Sequence, residues 1–173
     1  KIIFDSIKIS SKVISPISPS QKKQNSTIKK ILIIRTDGLG DLILTIPLFI
    51  NLKKMYLNVE ISLVTNPNLL ELAELFISNN FIDNAYCVEE LLKQPTTIYD
   101  IIIDPIPSWN MNPLITKLKS KRKLGFDIYG KRILYSDYVK YFPIHASDEY
   151  KLLLKTNQDI KFLLKLDPKI NEE

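Results

Sequence analysis

The chain has 173 residues, 45% of them hydrophobic and 25% charged, which suits one ordinary domain with a substantial core. Its net charge of +5 is mild and no stretch interleaves aromatic with basic side chains, so no nucleic-acid partner is expected. Cys87 and His145 are the only residues of their types, which excludes an intrachain disulfide and argues against a zinc site. We therefore expect no metal and no cofactor.

The chain divides by composition into two parts. Residues 1–28 are rich in Ser and Lys and show no lasting periodicity, which predicts a flexible leader. Residues 29–173 carry the apolar periodic segments and are predicted to form one lobe. No apolar run reaches the roughly 18 residues of a membrane-spanning helix.

Apolar runs and turn signals predict strands that alternate with helices. The predicted strands are Ile31–Ile34, Glu60–Thr65, Asn84–Val88, Asp100–Asp104 and Lys123–Phe126. The predicted helices are Leu42–Tyr56, Asn66–Ile77, Glu89–Gln94, Trp109–Ser120 and a last helix capped by Ser147 with Tyr150, Leu153, Leu154, Ile160, Leu163 and Leu164 on its apolar face. Residues 127–144 are predicted to be irregular or hairpin-like. Pro47 either kinks the first helix or lies in the first turn of its main part.

This alternation predicts an α/β fold, with a Rossmann-like parallel sheet flanked by helices. Ligands of such sheets bind beyond the carboxyl ends of the strands. The segments predicted at those ends are Arg35–Asp41, Thr65–Asn68, Asp104–Trp109 and Phe126–Asp127.

The loop after the first strand contains Gly38 and Gly40, and glycine at these positions permits positive φ angles and a close approach of a ligand to the backbone. A dinucleotide fingerprint is absent because position 43 is Ile, and the Walker pattern is absent too. The second strand also ends at Thr65 and Asn66 without an acidic residue, which disfavours a nucleotide-cofactor enzyme.

Asp41 stands at the predicted start of the first helix, and two interpretations of it remain open. A carboxylate there caps the helix and interacts favourably with its dipole. The same carboxylate, at the rim of a cleft, can also accept a proton from an attacking hydroxyl group.

The segment from Ile31 to Leu48 resembles the opening of the heptosyltransferases of glycosyltransferase family 9, which show a hydrophobic strand, often an Arg, then Gly-Asp and Thr-x-Pro. Here those positions are Arg35, Gly40-Asp41 and Thr45-Ile46-Pro47. The resemblance continues in order through Leu52–Lys54, Glu60–Val64, Tyr99–Asp104, Arg122–Phe126 and the stretch from His145 to Leu154. Pro105-Ile106-Pro107 departs from it, since relatives usually have a Leu and a polar loop there.

The resemblance implies the N-terminal, acceptor-binding lobe of a GT-B fold, whose C-terminal nucleotide-sugar lobe is not in this chain. It implies inverting transfer of a heptose or related sugar from a nucleotide-sugar, ADP-heptose in this family, to a lipopolysaccharide core-type acceptor. Asp41 matches the family's catalytic base. Residues expected to bind substrate are Arg35, Gly38, Gly40, Asp104 and Arg122. For the two arginines, strand-end salt bridges are the competing interpretation, and for Asp104 it is a turn.

The expected partners are the nucleotide-sugar donor, held by the other lobe, and a glycolipid acceptor. Such a bacterial enzyme is expected in the cytoplasm, with peripheral contact at the inner face of the inner membrane. We expect the 173 residues to be inactive alone, because two lobes need roughly 150 residues each. The alternatives are a non-catalytic Rossmann-like binding module and, with less support, a phosphoacceptor receiver domain.

Overall fold

The computed structural model describes residues 28–93, 97–106, 112–141, 143 and 145–154. The strands of this part are Lys30–Ile34 (β1), Glu60–Val64 (β2), Asn84–Tyr86 (β3), Tyr99–Asp104 (β4), Ser120–Asp127 (β5) and Asp137–Lys140 (β6). The helices are Leu39–Leu44 (α1), Ile46–Met55 (α2), Leu70–Ser78 (α3), Val88–Lys93 (α4), Asn112–Lys117 (α5) and Ala146–Leu154 (α6). Most of the predicted leader, Trp109, and the predicted helical residues Ile160, Leu163 and Leu164 lie outside the described residues.

The strands form one sheet in the order β3-β2-β1-β4-β5-β6, and every neighbouring pair is parallel. The predicted Rossmann-like α/β fold is therefore confirmed. The chain runs outward from β1 in one direction and then returns to β4 on its other side, so the strand order reverses between β1 and β4. In such sheets this switch point opens a crevice at the carboxyl ends of the two strands.

The apolar run of β1 is buried on both faces of the sheet. Ile31 and Ile33 pack with α1, α2, α3 and α6, whereas Leu32 and Ile34 pack on the other face with α4 and α5. Side chains of successive strand residues point to opposite faces, so both sides of this central strand need apolar residues.

The first helical stretch divides at Thr45, between α1 and α2. Pro47 lies in the first turn of α2, where its missing N–H costs no helical hydrogen bond. The second interpretation of Pro47 is therefore confirmed. The break separates a short α1, which carries Asp41 in its first turn, from the buried α2.

The prediction for residues 127–144 was wrong. A 3₁₀ turn at Lys131–Leu134 leads into β6, which pairs parallel to β5 with Leu124 opposite Asp137. The connection is shorter than the usual helical crossover between parallel strands. Tyr129 and Gly130 turn the chain with positive φ angles of 49° and 84°. Because this segment has no apolar helical period, its sequence did not indicate a connection between two parallel strands.

The last helix begins at Ala146 instead of being capped by Ser147. The carbonyl of His145 accepts the N–H groups of Asp148 and Glu149, at 2.8 and 3.1 Å, so His145 holds the position before the helix. Tyr150, Leu153 and Leu154 are buried, as their spacing predicted.

Candidate functional site

The loop between β1 and α1 lies at the switch point of the sheet. Arg35 continues the line of β1, since its N–H donates to the Val64 carbonyl at 2.8 Å. The Asn66 side-chain amide donates to the Thr36 carbonyl at 2.6 Å. These bonds tie the start of the loop to the end of β2, so residues 35–38 have a fixed path into α1.

Arg35 is the buried residue that contacts both carboxyl groups of the loop. The residue is only 4% exposed, and its Nη1 donates to the Pro105 carbonyl at 3.3 Å across the switch point. Its Nη2 lies 3.3 Å from Asp41 Oδ1, and its Nε lies 2.9 Å from Asp37 Oδ1. The last pair is close enough for an ion pair but is poorly aligned for a hydrogen bond. Arg35 was predicted to bind substrate, and its geometry shows a buried cation whose contacts are with the protein.

Asp41 is the exposed carboxylate of this cluster. It lies in the first turn of α1, its side chain is 51% exposed, and one oxygen, Oδ1, faces Arg35. A Cβ built on Gly38 would lie 3.5 Å from the other oxygen, Oδ2. A Cβ built on Gly40 would meet no atom of the described chain within 4 Å apart from its chain neighbours and the backbone of its own helix. The absence of a side chain at Gly38 therefore leaves space beside Oδ2.

Neither glycine adopts the positive φ that its residue type permits, and the close approach of a ligand stays a prediction. Gly38 has φ of −79°, Gly40 is helical, and among the described glycines only Gly130 has a positive φ. What Gly38 supplies is the absence of a side chain beside Asp41 Oδ2. Gly38 occupies the N-cap position of α1, and Asp41 is the third residue of the helix. Asp41 is therefore not the N-cap residue.

Asp37 is the less exposed carboxyl group of the loop. Its side chain is 27% exposed. Burial raises the pKa of Asp37 above its ordinary value, although the adjacent Arg35 acts in the opposite direction. The negative charges of Asp41 and Asp104 also raise this pKa, by less than burial does.

Thr45 and Tyr150 support the loop from α2 and α6. The Thr45 hydroxyl donates to the Asp41 carbonyl at 2.8 Å and lies 3.1 Å from the Tyr150 hydroxyl. Because Thr45 has one hydroxyl hydrogen, the Tyr150 hydroxyl is the donor in their contact. The guanidinium carbon of Arg35 lies 6.0 Å from the centre of the Tyr150 ring. Thr45 is the threonine of the Thr-x-Pro pattern, but the sequence showed Tyr150 only as an apolar helix residue.

Asp104 ends β4 on the opposite face of the sheet, and it is fully buried. Its Oδ2 lies 2.6 Å from Nζ of the equally buried Lys131 and accepts the hydroxyl of Tyr135. Its Oδ1 accepts the N–H of Ile106 at 3.2 Å. Burial and the Asp104 carboxylate both raise the pKa of Tyr135. Direct substrate contact by Asp104 stays a prediction, and these bonds favour a supporting position instead.

Gly125, in the family-like Leu-Gly-Phe segment of β5, lies beneath this second cluster. A Cβ at Gly125 would come within 2.3 Å of the Tyr135 ring. Glycine is therefore required for Tyr135 to reach Asp104 across the strand. Sequence reasoning missed Lys131 and Tyr135, because both lie in the segment predicted to be irregular.

Arg122 is not brought to this edge. It pairs with Ile101, which pairs with Ile31 near the amino end of β1, and its Nε donates to Asp137 at 3.0 Å. Three residues of strand, about 10 Å, separate its level from that of Gly125 beside Asp104. Its role as a substrate contact stays a prediction, and its position argues against it.

The structure thus brings together Arg35, Gly38, Gly40 and Asp41, with Asp104 behind them and Arg122 apart. Within the described ranges, no group of three or more His, Cys, Asp or Glu residues is placed to hold a metal ion. None of the helices in those ranges has both the length and the apolar character that a membrane span requires.

A parallel sheet with this strand order defines a Rossmann-like lobe, and the carboxylate-bearing loop lies at its switch point. Several solved structures share this fold. E. coli heptosyltransferase WaaC, solved with ADP, matches with a TM-score of 0.59 and 18% identity over 80% of this chain and 50% of its own. A glycosyl transferase of family 9 from Veillonella parvula gives a TM-score of 0.61 and 22% identity, over 74% and 41%. E. coli ADP-heptose lps heptosyltransferase II gives 0.59 and 16%, over 81% and 47%.

No protein-family model matches the chain, and no curated protein sequence matches it. At these identities the likeness to the solved structures is one of fold. The chain has the Rossmann-like fold found in heptosyltransferases, and it spans about half their length or somewhat less. The resemblance to heptosyltransferases that was inferred from the sequence is confirmed at the level of fold.

Proposed function

We propose that the chain is the acceptor-binding lobe of an inverting glycosyltransferase of the heptosyltransferase kind, family 9, and that Asp41 is its general base. The observation that carries the proposal is the state of Asp41. Its carboxylate is half exposed at the switch point, and a buried Arg35 holds one oxygen while Gly38 places no side chain beside the other. A base needs this combination of fixed position and open access.

The charges of the loop favour a hydroxyl group as its ligand. Arg35 is the only cation between residues 35 and 41, and it is buried against two carboxyl groups. The loop therefore offers no free positive charge to a phosphate, whereas an exposed carboxylate accepts hydrogen bonds from sugar hydroxyls. The acceptor's anionic groups, if it is a lipopolysaccharide core, would bind elsewhere than in this loop.

In the proposed reaction, Asp41 accepts the proton of the acceptor hydroxyl as that oxygen attacks the anomeric carbon of the donor. The bond to the nucleoside diphosphate breaks on the opposite face of the sugar, so the anomeric configuration inverts. Arg35 keeps the carboxylate aimed at the hydroxyl, and Thr45 holds the backbone of Asp41. Such a base contributes about 10²–10⁴ in rate.

The donor, ADP-heptose or a related nucleotide-sugar, would bind a second lobe that faces this edge of the sheet. This assignment is supported by the heptosyltransferase structures, one of them solved with ADP, whose length this chain half covers. We place the enzyme in the cytoplasm, at the inner membrane face where a glycolipid acceptor would be presented. The 173 residues alone should bind acceptor and transfer nothing, so sugar transfer by them would contradict the division into two lobes.

The test is Asp41→Asn in the longest natural form of the chain, with ADP-heptose and a core-type acceptor. Loss of the charge at nearly constant shape should lower kcat/KM by about 10²–10⁴ and leave the fold unchanged. Glu74→Gln, at an exposed carboxylate in the middle of α3, is the matched control and should transfer at the wild-type rate. A wild-type rate in Asp41→Asn would refute the base. Acceptor binding without transfer by the longest natural form, with Asp41 unchanged, would favour the non-catalytic binding module.

A further inference from the structure

We infer that Lys131 is a positioning residue, which fixes Arg35 and Asp41 through the Asp104–Ile106 corner of the chain. For its kinetic readout this inference rests on the proposed function. A lysine is rarely buried without a partner, because moving its charge out of water is costly. Lys131 is fully buried, so the contacts of its ammonium group need an explanation beyond surface charge.

The ammonium group of Lys131 holds both the end of β4 and the segment that follows it. Its Nζ lies 2.6 Å from Asp104 Oδ2 and donates to the Ile106 carbonyl at 3.0 Å. The N–H of Ile106 in turn donates to Asp104 Oδ1 at 3.2 Å. The corner from Asp104 to Ile106 is therefore closed by three bonds that share one lysine and one carboxylate.

Pro105 lies within that closed corner and presents its carbonyl to the other face of the sheet. This carbonyl accepts Nη1 of Arg35 at 3.3 Å. Arg35 continues to Asp41 through Nη2, also at 3.3 Å. Lys131 touches neither residue of the loop, yet each step from it to Asp41 is a direct polar contact or a neighbouring peptide unit.

The chemistry of Pro105 and Ile106 explains why this cross-link is needed. Proline lacks a backbone N–H, so Pro105 cannot be held by a donor of its own and offers only its carbonyl. Ile106 supplies the donor, and Lys131 supplies the missing cross-link. Pro105 and Ile106, which belong to the segment that departs from the family pattern, thus form one unit with the buried lysine.

A purely stabilising pair and a positioning pair differ in how they respond to joint replacement. Lys131→Met alone leaves Asp104 buried and unpaired, so a lower unfolding midpoint is expected under either role. The double variant Lys131→Met/Asp104→Leu removes both charges and fills the site with apolar groups, a change that commonly restores stability. It does not restore the bonds to Ile106.

The experiment uses the longest natural form of the chain. It compares the unfolding midpoint, the Arg35 Nε–H signal in NMR spectra, and sugar transfer in the wild type, both variants and Glu74→Gln. We expect the double variant to unfold near the wild-type midpoint, yet to show a shifted Arg35 signal with faster solvent exchange. Its kcat should fall about tenfold to a hundredfold with a smaller change in KM, since small displacements of catalytic groups have effects of this size.

If the double variant regains both the wild-type Arg35 signal and the wild-type unfolding midpoint, the inference is overturned. The Lys131–Asp104 pair would then only stabilise the fold. The Arg35 signal is read without substrate, so this outcome is separate from failure of the proposed function. If the wild type transfers no sugar, the proposed function fails while the NMR comparison still decides the role of Lys131. Asp104→Leu alone should also shift the Arg35 signal; an unchanged signal there would count against the inference as well.

Discussion

Two clusters of charged residues lie at the carboxyl edge of the same sheet, on adjacent strands, and they differ in one respect. After β1, one guanidinium faces two carboxyl groups, and the Asp41 side chain remains 51% exposed. After β4, one ammonium group faces one carboxylate, and both side chains are fully buried. The first cluster leaves a carboxylate oxygen with access to solvent, and the second leaves none.

This difference in exposure indicates that the cluster after β1 can contact a substrate, whereas the cluster after β4 can only support the first cluster. Gly38 places no side chain beside Asp41 in the first cluster, whereas the Tyr135 ring covers the second and itself needs glycine at 125. Charged residues at the ends of neighbouring strands look alike in a sequence. Their accessibility depends on what the later part of the chain places over them.

The largest contrast is expected when one partner is deleted from each cluster. Lys131→Met should cost about 3–5 kcal/mol of unfolding free energy, because an unpaired carboxylate stays buried. Asp41→Ala should cost only about 0.5–1 kcal/mol, because it removes an exposed group from a helix start. Urea unfolding of the two variants measures both values. Equal costs would mean that the clusters do not differ in burial as described.

Replacing a glycine in each cluster should change the free energy of unfolding by an intermediate amount. Gly125→Ala should destabilise by roughly 1–3 kcal/mol or more, because the new methyl group would meet the Tyr135 ring at 2.3 Å. Gly40→Ala should stabilise by about 0.5–1 kcal/mol, because alanine favours the helix and the space beside it is open. Thermal unfolding of the pair tests the signs. A loss of stability in Gly40→Ala would show that this space is occupied.

The smallest effect concerns Asp37 and depends on pH. Burial raises its pKa, so the folded protein holds the proton more tightly than the unfolded chain does. Ionisation of Asp37 therefore lowers stability as pH rises from the ordinary aspartate pKa through the raised folded value. Asp37→Asn should be at least as stable as the wild type at neutral pH, by less than about 1 kcal/mol, and should lose this advantage at about pH 3.

Urea unfolding at the two pH values measures the Asp37 effect, with Glu74→Gln as the control. A neutral-pH stability of Asp37→Asn well below that of the wild type would contradict it. The ion pair with Arg35 would then outweigh the cost of burial, and the first cluster would resemble the second more closely than the exposures indicate.

The sequence by itself determined the frame of the molecule. Buried β1 required an apolar run, the alternation with helices required a parallel sheet, and the Arg-to-Asp41 loop therefore had to lie at a carboxyl edge. Local patterns suffice for this because strand and helix periods are short-range properties. The likeness to heptosyltransferases followed from an ordered series of such short segments, and at the level of fold it held.

Only the tertiary structure decided what the charged residues do. Arg35 and Arg122 are the same residue type near strands of one sheet, yet one organises the loop and the other pairs with Asp137 about three strand residues lower. Lys131 and Tyr135 reach Asp104 only because a short connection folds β6 parallel to β5. Contacts of this kind join residues distant in sequence, and no local period encodes which of them will be buried together.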